Sequence, residues 1–129
     1  MRKYTTYLLL VVSSYVSADE ANVVSAVINH SFDDVYNFDV TVKHKDEDWN
    51  HFANGWEVIS PEGKVLAVRV LHHPHTKEQP FTRSMPVRIP DGISKVTIRA
   101  HDSVHDYGGC ELTIEIPSIR AKGRPKENE

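Results

Sequence analysis

The sequence has a single cysteine, Cys110, so it can form neither an intrachain disulfide nor a thiolate zinc site. It lacks a basic excess. Fifteen Lys and Arg against eighteen Asp and Glu leave a formal charge of −3, which excludes a protein that tracks nucleic-acid phosphates. Its one notable apolar run, residues 7–16 (YLLLVVSSYV), is about half the ~20 residues a membrane-crossing helix needs. No long stretch repeats its apolar residues every 3.6 positions, so helices are not the framework. What is left is an ordinary globular composition, 40% apolar and 26% charged. Spread over 129 residues, that is enough for one domain with its own core.

The first eighteen residues have the layout of a secretory signal peptide: Arg2 and Lys3, the apolar run, then Val16-Ser17-Ala18 as a small-residue cleavage site. Cleavage after Ala18 leaves 129 − 18 = 111 residues. They divide into a domain over 19–118 and a polar, charged tail over 119–129 that cannot repay its ordering entropy. The expected location is the periplasm or the exterior, with no membrane insertion after cleavage.

Within the domain the apolar residues alternate with period two. Strands are predicted over 22–30, 36–44, 55–60, 65–71, 85–89, 95–101 and 110–116. Phe38, Val40 and Val42 share one inward face; so do Val96, Ile98 and Ala100, and Leu112, Ile114 and Ile116. The fourth strand, VLAVRVL, is apolar on both sides and reads as central; Pro86 places the fifth at an edge. Pro61-Glu62-Gly63 and Pro90-Asp91-Gly92 are turns. Trp56 reads as core, and Gly108-Gly109 as turn residues. Seven short strands without a helix predict an all-β protein, an immunoglobulin-like antiparallel β-sandwich.

The sequence is rich in histidine, with eight. If consecutive strands reverse direction, the connections after strands two, four and six share one end. That end collects His44, His51, His72, His73, His75, His101 and His105, and leaves His30 at the other. Its loops are also the long ones, where function usually sits on a rigid scaffold. Imidazole is the commonest transition-metal ligand. In an extended His73-Pro74-His75 the two rings point the same way. The candidate ligands are therefore His73, His75, His105, His51 and His101, with Asp102 and Glu78 as acceptors that orient the rings. Arg83 is expected to pair with Asp102 or Glu78. Ser103 lies near His101 and His105, but without a nucleophile elbow it is a poor candidate for a nucleophile.

The stretches HHPHTKEQPFTR (72–83), RAHDSVHDYGG (99–109) and WNHFANGW (49–56) resemble a family of small exported bacterial proteins with HPHxxEQPFTR-like and RAxDSVHxxGG-like motifs. The resemblance implies export and no particular activity. Established metal sandwiches fit less well. Blue copper proteins need a histidine and a methionine after their cysteine, and residues 111–118 hold neither. Copper-zinc superoxide dismutase needs a disulfide. In superoxide reductase, cysteine and histidines hold iron; here Cys110 is expected to face inward near the histidines, but Thr113 stands where the next histidine would be.

These observations predict an exported single-domain β-sandwich that binds a transition-metal ion, zinc or copper, through histidines at one end. The alternative is a metal-free module that uses the same loops to contact another exported protein. A bound metal with an open position would also permit hydrolysis or redox chemistry, though no residue names a substrate.

Overall fold

A computed structural model describes residues 20–117. The predicted leader over 1–18 and the predicted tail over 119–129 lie outside the described residues. Seven strands occur among them and no helix: β1 (Asn22–Phe32), β2 (Val35–Lys43), β3 (Ala53–Ile59), β4 (Val65–Val70), β5 (Phe81–Arg88), β6 (Lys95–Asp102) and β7 (Leu112–Glu115). No described helix is long and apolar enough to cross a membrane. The strands form two antiparallel sheets, β1-β2-β5 and β4-β3-β6-β7. This is a β-sandwich of the immunoglobulin-like kind, with β4 paired to β3 instead of joining the first sheet.

The inward faces follow the alternation. Phe38, Val40 and Val42 of β2 meet Trp56 and Val58 of β3 and Val96, Ile98 and Ala100 of β6 in one core, with Phe81 and Val87 of β5 completing it. At ~25 cal/mol per Å2 of apolar surface, each such side chain contributes about 1.5–3 kcal/mol. Gly63 and Gly92 adopt left-handed φ values of 87° and 90°, as the two Pro-Xaa-Gly turns require.

Four expectations change. First, β4 is an edge strand, with Val65, Val68 and Val70 about half exposed, and β3 takes the central position. β3 is central although it carries a charge: Glu57 is buried and bonded by Arg99 of β6, its register partner. Second, β5 begins at Phe81 rather than at residue 85, because Phe81, Thr82 and Arg83 pair with Val42, Thr41 and Val40. Third, Cys110 is exposed and precedes β7. Fourth, Gly109 marks a close approach rather than a turn: a Cβ there would lie 2.0 Å from the Ala21 carbonyl oxygen, where the chain enters β1.

Every strand pair is antiparallel, and the registers bring together the ends that matter. Val42 pairs with Phe81, Ala53 with Asp102, and Gly55 with Val70. The connections β2–β3, β4–β5 and β6–β7 therefore share one end of the sandwich. His30 lies near the opposite end, its Nε2 donating to the Asp33 carbonyl at 2.8 Å.

Candidate metal centre

The inward face of β6 runs Val96, Ile98, Ala100 and then Asp102, a carboxylate with no exposure at the rim of the core. Asp102 Oδ1 accepts the backbone N–H groups of Val104 (2.8 Å) and His105 (2.5 Å). That tight turn leaves Oδ2 for side chains. Three imidazoles approach this single oxygen: His105 Nδ1 at 3.1 Å, His44 Nε2 at 3.3 Å and His51 Nε2 at 3.7 Å. The ring centroids of His44 and His51 are 4.8 Å apart, and those of His51 and His105 are 5.0 Å apart.

His44 reaches the same point by continuing the β2 alternation of Phe38, Val40 and Val42 one step past the strand end; it is 2% exposed. Its Nδ1–H donates to Asp46 Oδ1 at 2.5 Å. Asp46, also buried, accepts two further N–H groups, from Ala53 (2.9 Å) and His75 (2.6 Å). One carboxylate thus joins the β2–β3 loop to the β4–β5 loop and orients the His44 ring with Nε2 toward Asp102. A carboxylate on the distal nitrogen of an imidazole is the usual partner of a metal-ligating histidine. Glu47 Oε1 lies 3.6 Å from His51 Nδ1, an ion-pair separation longer than a hydrogen bond. Ser103 Oγ donates to the Asn50 carbonyl and accepts the Phe52 N–H, both at 3.1 Å, which holds the loop carrying His51 against β6. The hydroxyl serves the loop and is not poised as a nucleophile.

His44, His51 and Asp102 form a group that could hold a metal ion, with one ligand atom from each lying within 4.8 Å of the others. A tetrahedral ion with bonds of about 2.0–2.1 Å sets its ligand atoms roughly 3.3–3.5 Å apart. The separations of 3.3 and 3.7 Å around Asp102 Oδ2 are close to that. Burial pushes the Asp102 carboxyl up. The N–H groups of His105 and Val104, with the His105 ring, outweigh it and hold the carboxyl below its ordinary value. Burial likewise raises Asp46, and the His44 side chain with the N–H groups of His75 and Ala53 brings it below. Both carboxylates are therefore anionic at neutral pH.

The five histidines singled out from the sequence have three destinations. His51 and His105 meet at Asp102. His73 and His75 come together elsewhere, with ring centroids 4.6 Å apart and the His75 ring stacked on Phe81 at 4.0 Å. His101 points away from the cluster because it neighbours Asp102 on β6, and successive strand residues face opposite sides. Its Nδ1 lies 2.5 Å from Asn54 Oδ1 and its Nε2 3.0 Å from Asp106 Oδ1. Arg83 pairs with Glu78 at 3.4 Å. The central positions of His44 and Asp102 were not singled out as ligands, though the alternation of their strands points both inward.

His75 titrates below the ordinary histidine value, first because it is buried and then because Arg83 and His73 repel its charge; Asp46 and Glu78 offset part of this. The unfolded chain therefore takes up a proton near pH 6.5 that the folded chain refuses until lower pH. Stability is full above pH 6.5 and falls as pH drops below it, by at most about 1.4 kcal/mol per pH unit for this group. Urea denaturation between pH 7.5 and 5 should show the fall. His75→Phe, which keeps the stack on Phe81, should flatten that part of it.

A protein of Halomicrobium mukohataei named "Putative lipoprotein" is 35% identical to this chain over 99 residues, 77% of the chain and 49% of its own length. The chain spans about half the length of the curated relative it matches. No family model matches the chain. No solved structure matches it.

Proposed function

We propose that this chain is an exported, envelope-associated β-sandwich that holds a transition-metal ion, zinc or copper, with His44, His51 and Asp102 as ligands and His105 as the fourth. The observation that carries this reading is the convergence of three imidazoles on one buried carboxylate oxygen. Asp46 and Glu47 stand behind the two inner rings. Two or three imidazoles with a carboxylate suit zinc, and the imidazoles suit copper as well. His105 is the most exposed of the four, with 31% of its side chain accessible, so the ion would enter from that side. Export is supported by the leader-like residues 1–18 and by the name of the relative, a lipoprotein. Of the five histidines expected from the sequence, the proposal retains His51 and His105. His73, His75 and His101 are assigned to other contacts.

A metal-free reading has its own observation. His44 lies between two carboxylates, at 2.5 and 3.3 Å, and as an imidazolium it would bridge them. The two readings part on elemental analysis of chain purified without a tag, followed by titration with zinc and copper. The metal reading expects one ion per chain. Less than about a tenth of an equivalent bound, with no uptake on titration, would leave only the charge network.

A further inference from the structure

Two free edges, β4 of one sheet and β5 of the other, come together at the histidine-bearing end. Between them lies a hollow of about 80 Å3 whose lining includes Arg69, His72, His73, His75 and Arg83. None of the residues lining it is acidic. Arg69 Nε and both ring nitrogens of His75 are buried without a hydrogen-bond partner. The nearest carboxylate oxygen to the His75 ring is Asp46 Oδ2, 3.8 Å from Nδ1, beyond hydrogen-bond range. Buried polar groups are paired as a rule, so the Arg69 Nε–H and the one N–H of a neutral His75 ring, both lining one hollow without a partner, indicate an absent acceptor. Arg83 lies with its guanidinium 5.5 Å from the centre of the Phe81 ring, and the His75 ring stacks on the same side chain.

We propose that this hollow binds a small oxyanion of the phosphate, sulfate or carboxylate type, held by the guanidinium groups of Arg69 and Arg83 and by a ring N–H of His75. Guanidinium groups only donate, and their fork matches the oxygens of such anions. A cation is disfavoured between two of them. About 10–15 Å3 of free space admits one water, so the hollow suits a group of about five heavy atoms and not a nucleotide. Two guanidinium groups and no acidic residue in the lining favour an anion there. Glu78, on Arg83 at 3.4 Å, is exposed and free to swing away. The hollow is separate from the metal cluster, although Asp46 touches both, with Oδ1 on the His44 ring and Oδ2 on the His75 N–H.

The test is calorimetric titration of the full chain with inorganic phosphate, sulfate and acetate at constant ionic strength in chloride, on chelator-treated and on zinc-treated protein. Expected is saturable binding of one anion per chain, weakened at least tenfold in Arg83→Gln and in Arg69→Gln and unchanged in Lys77→Gln. Arg83 is at the surface, so its variant serves even if Arg69→Gln fails to fold. Preference for phosphate or sulfate would assign a tetrahedral ion; preference for acetate would assign a carboxylate end of a larger ligand. Binding in chelator-treated protein supports the site whether or not zinc is taken up. Non-saturable heats, or equal affinity in Arg83→Gln, would overturn it.

Discussion

Zinc at a free concentration a hundred times its dissociation constant is expected to raise the melting temperature of the chain by roughly 10–20 °C over the chelated protein. An ion that binds only the folded state stabilises it by RT ln(1 + [L]/Kd), about 2.7 kcal/mol at that excess. For a domain of 60–100 residues each kcal/mol moves the transition by about 4–8 °C. The ligands explain why the unfolded chain would not compete. His44 and His51 come from the β2–β3 loop and its entry, and Asp102 ends a strand fifty residues later, so the set exists only in the fold. His44→Gln is expected to cancel the rise, because it removes the nitrogen that Asp46 orients toward Asp102. Differential scanning calorimetry with and without zinc measures both effects. A melting temperature indifferent to zinc, copper and chelator would leave the cluster as a hydrogen-bonded charge network.

The polarity of the strands was legible because period-two alternation states which residues are inward. Residues 38, 40 and 42 and residues 96, 98 and 100 are all buried as the pattern requires. The same pattern, carried one step further, leads to His44 and Asp102. His44 belongs to the clustered histidines but lies outside the motif-like stretches, and Asp102 reads as an acceptor orienting the rings, so neither stands among the candidate ligands. Their burial depends on local partners, Asp46 for His44 and the turn N–H groups for Asp102, and on groups from other connections: the His75 N–H on Asp46 and the His44 and His51 rings on Asp102. A linear sequence does not display such partners. The gathering of histidines at one end follows from antiparallel connectivity alone, which is why it could be read without coordinates. Their division among three destinations could not. His75 is drawn to Phe81, and Phe81 belongs to a strand only because its backbone pairs with Val42.

The misplacement of β4 has a similar cause. Its valines are apolar on both sides, as a central strand would be, yet they lie on a free edge with about half their surface exposed. The strand that is central carries a glutamate, Glu57, which is buried because Arg99 stands opposite it in the register. Charge pairing across a register conceals burial from sequence, and apolar residues at an edge mimic it.

Asp102 offers the sharpest separation of structure from ligand. Asp102→Ala is expected to cost about 3–5 kcal/mol, the range for removing one member of a buried ionic set. It strips the acceptor from two N–H groups and leaves the His44, His51 and His105 rings without the anion they surround. Asp102→Asn should cost less, about 1–3 kcal/mol, because an amide oxygen can still accept from Val104 and His105. Urea midpoints give the two values. The asparagine variant folds with its turn intact but presents an amide where the carboxylate stood, and a neutral amide is a far weaker zinc ligand. It should therefore lose zinc uptake while keeping most of its stability. The acid side agrees in sign. The folded Asp102 titrates below its ordinary 3.8, so its stabilisation is complete above about pH 4 and disappears as the pH falls further, and Asp102→Asn should reduce that loss. If Asp102→Asn bound zinc as the parent does, the carboxylate would be a structural anchor only, and the ion would have to rest on the imidazoles.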